Sequence, residues 1–410
     1  MKKALFFSIL SLACCISASC SSEDLSILNN NSAKLQQTSL KGEAEALSAW
    51  NRLKETFGYS RTVSDSIKYP DYYGGSYIED GQLIVYIVKG NNKKTPQLLN
   101  SDPIFVVKEC DYSYNELLKA TNEVSEFMVS EKNTENPIRE KLSLCSLSET
   151  FNRVEVYVSD LSPSFISEFK KQVSNSPAIK FIISPQCDDF ENIVPTPIII
   201  DDNPQPLGIT YINPGDFIYM TKTSSSQSSN EASAGYKAIN NDGVIGFLTA
   251  AHAANLNDNV AWGTRTEAHK VGKVIASTHS GNVDAAFCQI TNAYFDFQSR
   301  SQSIAYKNSQ LKEGVVLHLV GGYNQTVGTI RSLNTTSNAN IKGLISAYYT
   351  SQSGDSGGYV YYEDPYGNEL TAGIHHGHGL VQNPDGTYVT VGLCCAAEEI
   401  EKSMGLIPCK

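Results

Sequence analysis

Ser353-Gly354-Asp355-Ser356-Gly357-Gly358 is the stretch from which the rest of this sequence can be read. A serine hydroxyl is a poor nucleophile at neutral pH. It becomes a good one when a base takes its proton and donors wait for the oxyanion. Glycines at 354 and 357 let the chain turn tightly around Ser356, so that backbone N–H groups can converge on one point. Taken alone, the hexapeptide reads equally well as a surface turn, because Gly, Asp and Ser all favour turns. Its context separates the two readings. Upstream, Thr249-Ala250-Ala251-His252-Ala253 supplies a base just after the apolar run Val244-Ile245-Gly246-Phe247-Leu248, which has the pattern of a buried strand. Between them, Asn282-Val283-Asp284-Ala285-Ala286-Phe287 offers a carboxylate able to orient an imidazole. Asp242 and Asp258 are rival carboxylates, but both have turn-like surroundings and are expected to be solvated.

The order His252, Asp284, Ser356 resembles that of the chymotrypsin class, and differs from that of subtilisin or the α/β-hydrolases. Within that class the chain is similar to the bacterial streptogrisin and alpha-lytic branch. Pro214-Gly215-Asp216-Phe217-Ile218-Tyr219 resembles the start of a mature streptogrisin. Ser233-Ala234-Gly235-Tyr236, Thr326-Val327-Gly328-Thr329-Ile330 and a short terminal helix before Gly405 extend the likeness. The resemblance implies an all-β fold for residues 207–410: two six-stranded Greek-key barrels with the site in the cleft between them. It also implies roles. His252 would accept the Ser356 proton and later deliver it to the leaving amine. Asp284 would fix the imidazole tautomer, and the N–H groups of Gly354 and Ser356 would form the oxyanion hole. The expected function is that of an exported serine endopeptidase made as a zymogen, acting on proteins or peptides through an acyl-enzyme. A catalytically silent surface lipoprotein that binds peptides or a partner protein is the alternative.

Three departures matter. Ala253 and Gln352 stand where the branch carries half-cystines, so two of its disulfides are missing. Residues 317–322 contain no arginine to pair with Asp355, as the streptogrisins have. A buried unpaired carboxylate is costly, and His318 or a new N-terminal amine made by processing are the candidate partners. In the pocket, Thr350 replaces the aspartate of trypsin-like members, which disfavours cleavage after Lys or Arg. Gly373-Ile374-His375-His376-Gly377 resembles the glutamyl endopeptidases, with His375 and Ser353 in the matching positions and His378 as a further donor. A preference for acidic residues before the scissile bond is therefore one reading. A small or apolar pocket is the other. Strict alternation would put His375 and His378 on opposite faces of their strand unless Gly377 bends the chain.

The first half carries no such constellation and reads as an α/β domain over residues 39–190. A helix is expected from residue 44 to 57, a hairpin around Asp80-Gly81, and a helix opened by a Ser113/Glu116 capping box. A strand, a helix after Ser162-Pro163 and another strand follow. The unit weakly resembles the pro-regions of the alpha-lytic branch, which fold and inhibit the protease before being cut away; an unrelated spacer or partner-binding domain is the other reading. Residues 191–206 are rich in proline and serve as the linker and processing region. Asp188 and Asp189 just before it, and Glu191, Asp201 and Asp202 within it, are acidic sites that strand pairing would not protect.

Composition agrees. The chain has 410 residues, 41% hydrophobic and 18% charged, which suits folded domains and excludes overall disorder. A net charge of −11 gives no basic footprint for nucleic acid. Residues 1–19 have the basic start and short apolar core of an export signal, which implies a cell-envelope or surface address. Cys20 at the cleavage point suggests lipidation, the only expected membrane link, with residues 20–38 as a polar tether. Seven cysteines follow Cys20, an odd number whose pairing sequence does not give, with Cys409 a candidate partner for Cys394 or Cys395. No Cys-x-x-Cys or Cys/His cluster has ligand spacing, so no metal or other cofactor is expected.

Overall fold

The computed structural model describes residues 41–58, 69–91, 95–184, 198–201, 208–222, 229–300 and 307–410. The export signal, Cys20, the tether, Cys187 and most of the linker lie outside them. Among the described residues no helix is long and apolar enough to cross a membrane.

Two closed circuits of strands form the second half. In the first, Phe217–Thr221 pairs with Asn259–Thr264, followed in turn by Glu267–Ser280, Val283–Ile290, Ile245–Thr249 and Lys237–Ile239. The segment Asn230–Ser233, just before Lys237–Ile239 in the chain, pairs back onto Phe217–Thr221 and closes the barrel. In the second, Val316–Val320 is followed by Tyr359–Glu363, Glu369–Gln382, Tyr388–Ala396, Leu344–Ala347 and Gln325–Ser337. Gln325–Ser337 then returns to Val316–Val320. Both circuits visit their strands in the order first, fourth, fifth, sixth, third, second, so the expected pair of six-stranded Greek-key barrels is what the chain forms. A shared core joins them, with Tyr236, Leu248 and Phe287 of the first barrel packed among Tyr359, Ile374 and Leu393 of the second.

The terminal helix Ala397–Met404 stops at Gly405, whose φ of 66° gives the left-handed cap that glycine tolerates best. It leads into Ile407–Pro408, which pairs with the first barrel's Lys237–Ile239. That path corrects the cysteine expectation. Cys409 is carried to the first barrel, while Cys394 and Cys395 are buried in the second, and all three are free.

The described part of the first half forms two units. The helix at 41–56 packs on a three-stranded sheet in which Tyr73–Glu79 and Gln82–Val88 form the expected hairpin and Phe105–Cys110 runs parallel to the second strand. Asp80 and Gly81 both take positive φ, 50° and 74°, as a two-residue hairpin turn requires. The second unit starts with the helix Tyr114–Val129, whose Ser113/Glu116 capping box is complete. Its sheet is Leu142–Ser148, Arg153–Val158 and Ile179–Ile183, crossed by the helix Pro163–Gln172.

This unit does not stand apart from the second barrel. Residues 335–337 of the barrel pair with 144–146, so one continuous sheet runs from barrel into unit. Buried groups knit the same border. Arg331 donates to Glu155 and, at 3.0 Å, to Tyr157 Oη, while Lys312 Nζ bonds both oxygens of Glu149 at 2.7 Å. Trp50, Leu53 and Tyr73 share a core with Leu317 and Tyr349 of the barrel.

Part of the expected linker pairs with a barrel. Ile200–Asp201 pairs in parallel with Ala268 and His269 of the first barrel, which removes Asp201 from the unprotected acidic sites. Asp188, Asp189, Glu191 and Asp202 lie outside the described residues.

Two carboxyls at the border should make it sensitive to pH. Burial raises the Glu43 pKa from 4.5 to about 7, against the opposing Val316 N–H bond. Burial, and then the Glu149 charge, raises that of Glu313. A carboxyl raised on folding contributes stability that is present below its unfolded pKa and is lost as pH rises through the folded one. Each tenfold change in proton affinity on folding is worth about 1.4 kcal/mol. From Glu43 alone the full chain should therefore lose about 2.5 kcal/mol of resistance to urea between about pH 5 and pH 8. Glu43→Gln should flatten that slope. Unfolding midpoints that stay level or rise over this range would contradict the assignment.

Candidate active site

Each side chain of the site is set by a local device. His252 lies on the 3-10 turn Ala251–Ala253, which ends the buried strand Ile245–Thr249 and lifts the ring out of the barrel. Asp284 is the second residue of Val283–Ile290, and its side chain has no solvent exposure. Ser356 sits in a loop tied to both barrels. Ser233 N–H donates to its carbonyl at 2.8 Å, and Ser233 Oγ to the Gly354 carbonyl at 2.7 Å. On the other side, the neighbouring Gly357 N–H donates to the His375 carbonyl at 2.8 Å.

These devices bring His252, Asp284 and Ser356 into one hydrogen-bonded series. His252 Nε2 lies 3.0 Å from Ser356 Oγ, and Nδ1 lies 2.6 Å from Asp284 Oδ2. A carboxylate only accepts, so Nδ1 carries the proton and Nε2 presents its lone pair to the serine. The His252 backbone N–H holds Asp284 Oδ1 at 2.9 Å. Burial alone would push the Asp284 carboxyl up. The charges and hydrogen bonds of His252 and His376 outweigh it and hold the group well below the usual carboxylate range.

His376 is the residue that sequence reasoning missed. Its Nδ1 donates to Asp284 Oδ2 at 2.6 Å, the same oxygen that His252 bonds, and the residue is 3% exposed. Burial lowers its own pKa, with Asp284 acting in the other direction. The signal that could have found it is the double histidine beside Gly377. Pairing with Tyr388–Ala396 shifts between His375 and Gly377, so His375 faces Cys394 and His378 faces Gly392. Residues 392 and 394 share a face, so the bulge puts His375 and His378 on one face and frees His376 to turn toward the cleft.

Around Ser356, Gly354 has a φ of 97° as third residue of a turn closed by the Asp355 N–H on the Gln352 carbonyl at 3.0 Å. That is the pattern of a type II turn and needs glycine. A Cβ there would also come within 2.5 Å of the Tyr323 ring. Asp355, fully buried, does not meet His318, and the continuous chain has no new N-terminal amine to offer it. Its oxygens accept from the backbone N–H groups of Gln352, Tyr323 and Asn324 at 3.0, 2.8 and 3.1 Å, and from Asn324 Nδ2 at 2.5 Å. Amides replace the missing cation. His318 instead stacks on Tyr361 at 4.8 Å.

Of the pocket candidates, Ser353 is exposed and His378 half-buried, whereas His375 is fully buried with Nδ1 3.1 Å from Tyr349 Oη. Asp242 is exposed as expected. Asp258 is not: it is buried, where it accepts from Asn255 N–H at 2.9 Å and closes a turn.

Removing the His376 donor should register as lost stability. His376→Ala leaves the buried Asp284 one charge-assisted bond short, a loss of about 1.5–3 kcal/mol in chemical denaturation. His376→Asn, which keeps an N–H, should recover part of it. Equal stabilities for the two variants would show that the bond contributes nothing.

Comparison with known proteins adds two family matches. Residues 33–110 match the Pro-like N-terminal domain and residues 115–184 the Pro-like C-terminal domain. The solved structures similar to this chain include Thermobifida fusca protease A, at 17% identity over 48% of this chain and 98% of that one, with a TM-score of 0.35. The Nocardiopsis protease is 20% identical over 49% of this chain and 100% of its own, with a TM-score of 0.35. A glutamic-acid-specific serine protease, described as using a histidine triad in substrate binding, is 20% identical over 48% and 100%, with a TM-score of 0.38. No curated protein matches the chain. Residues 33–110 and 115–184 thus carry the two Pro-like domains in tandem, and the second half folds as two six-stranded Greek-key barrels.

Proposed function

We propose that the chain is the zymogen of an exported serine endopeptidase, with Ser356 as nucleophile, His252 as general base and acid, and Asp284 as the carboxylate that orients it. The observation that carries this reading is the unbroken series from Ser356 Oγ through both nitrogens of His252 to a buried, ionised Asp284. Attack by Ser356 Oγ on a peptide carbonyl passes its proton to His252 Nε2. The imidazolium that forms is stabilised by Asp284 and returns the proton to the leaving amine. The acyl-enzyme is then hydrolysed by water activated at the same nitrogen. In this scheme the Gly354 and Ser356 N–H groups act as the oxyanion donors, a role that the glycine-dependent turn at 352–355 supports.

The Pro-like half acts as an intramolecular partner that templates the second barrel and restrains the enzyme until the linker is cut. The shared sheet between residues 335–337 and 144–146 supports that role, because non-local pairing of this kind forms slowly without a template. The wild-type chain should be cut between residues 184 and 208, seen as a new N-terminus by mass spectrometry, while Ser356→Ala stays at full length. Residues 207–410 produced alone should be inactive. A Ser356→Ala chain that is processed normally in a purified preparation would sink the self-cleavage reading.

For the pocket we assign a preference for Glu or Asp, with export and lipidation at Cys20 keeping the enzyme at the cell envelope. His375, held through Nδ1 by Tyr349 Oη, supplies a fixed ring beneath the loop that carries the exposed Ser353. Ser351 Oγ, on the same loop, is a buried hydroxyl with no hydrogen-bond partner among the described residues. His375→Ala should lower kcat/KM on Glu substrates at least tenfold more than on Phe or Ala substrates. A peptide-library profile that rejects Glu and Asp would end the acidic assignment and leave the triad intact.

A further inference from the structure

His279 lies outside the series of hydrogen bonds that links Ser356 to Asp284. It is exposed, near the end of Glu267–Ser280, and is the direct cross-strand partner of Asp284, so the two side chains share a face. Its Nε2 lies 3.4 Å from the Ala339 carbonyl oxygen. A carbonyl only accepts, so Nε2 carries the proton and Nδ1 keeps its lone pair. In the neutral ring that lone pair faces Asp284 Oδ1 at 3.5 Å, and the repulsion between two electron-pair donors is relieved by a proton or a metal cation placed between them. Two ligands of a tetrahedral zinc, each about 2.0–2.1 Å from the ion, stand roughly 3.3 Å apart. One ligand atom each from His252, His279 and Asp284 lies within 4.8 Å of the others.

We propose that His252, His279 and Asp284 form a site for a divalent cation of the zinc class, and that its occupancy silences Ser356. Two imidazoles and a carboxylate suit a borderline cation better than Mg2+ or Ca2+, which take oxygen ligands. The fourth position is left for water on the side where His279 is exposed. Orienting partners are already in place: the Ala339 carbonyl on His279 Nε2, and His376 Nδ1 on Asp284 Oδ2. When the ion takes His252 Nδ1, the proton from that nitrogen moves to Nε2, and no proton is gained or lost. An N–H then faces Ser356 Oγ where a lone pair is needed, so the serine cannot be deprotonated. The ion reaches the site from solvent, because the His252 side chain keeps 17% of its exposure.

The inhibitory half of this proposal rests on the peptidase reading, and the binding half does not. Binding is measured on the full-length Ser356→Ala chain by zinc competition against a chromophoric chelator. The same chain carrying His279→Ala or His279→Gln as well should bind about 10- to 100-fold more weakly at this site, with circular dichroism unchanged. Millimolar Mg2+ or Ca2+ should not displace the zinc. Equal zinc affinity in all three proteins, or displacement by Mg2+, overturns the site. Processed wild-type enzyme should lose activity in micromolar zinc and regain it with EDTA, while His279→Ala needs at least tenfold more zinc for the same fractional loss. Zinc bound at the site with turnover unaffected overturns the silencing claim. Processed wild-type chain that binds zinc at the site but shows no peptidase activity in EDTA overturns the peptidase reading alone.

Discussion

A carboxylate cut off from water keeps its charge only if donors surround it, and Asp284 is where this constraint acts on the whole second half. The first barrel supplies the His252 backbone N–H and Nδ1, and the second supplies His376 Nδ1. The anion is therefore complete only when the two barrels are docked. Ser356 is subject to the same condition, because its loop is bonded to Ser233 of the first barrel and to His375 of the second. Ser356, His252 and Asp284 thus report on one docking event. The lowered Asp284 pKa is the electrostatic sign that it has occurred.

The second barrel depends in turn on the Pro-like half. Leu142–Ser148 extends its sheet, Trp50 and Tyr73 fill its core, and the buried Arg331 and Lys312 find their carboxylates, Glu155 and Glu149, in the other half. Cutting the linker does not by itself undo these contacts. Release of the Pro-like half would leave Arg331 and Lys312 without those carboxylates and a sheet edge unpaired, both unfavourable. The raised carboxyls Glu43 and Glu313 make that release easier as pH rises.

Much of this is legible in the sequence because it is local. Strand-length apolar runs, the Asp80-Gly81 hairpin turn, the Ser113/Glu116 capping box and the order of the three site residues each occupy a few neighbouring positions. What escapes depends on residues far apart in the chain. A sequence points to cations as partners of Asp355, but two loops answer with backbone amides, whose identity no side chain reveals. His375 draws the eye before His376 because the bulge that turns His376 toward Asp284 is a property of strand register. The ligand set at His279 is hidden for a similar reason. Its members lie on separate segments, and closely spaced ligands are the only kind a sequence displays. The pairing of 335–337 with 144–146 joins two regions that composition keeps apart.

The central claim is that Ser356 is a nucleophile activated by His252 over an ionised Asp284. A fluorophosphonate probe applied to the folded chain, after limited proteolysis of the Pro-like half and with peptide mapping by mass spectrometry, tests it most directly. The account predicts a single adduct on Ser356, lost in His252→Ala and faster to form as pH rises from about 5 to 8. No adduct on the folded, proteolysed protein, or an adduct whose rate is unchanged in His252→Ala, would contradict it.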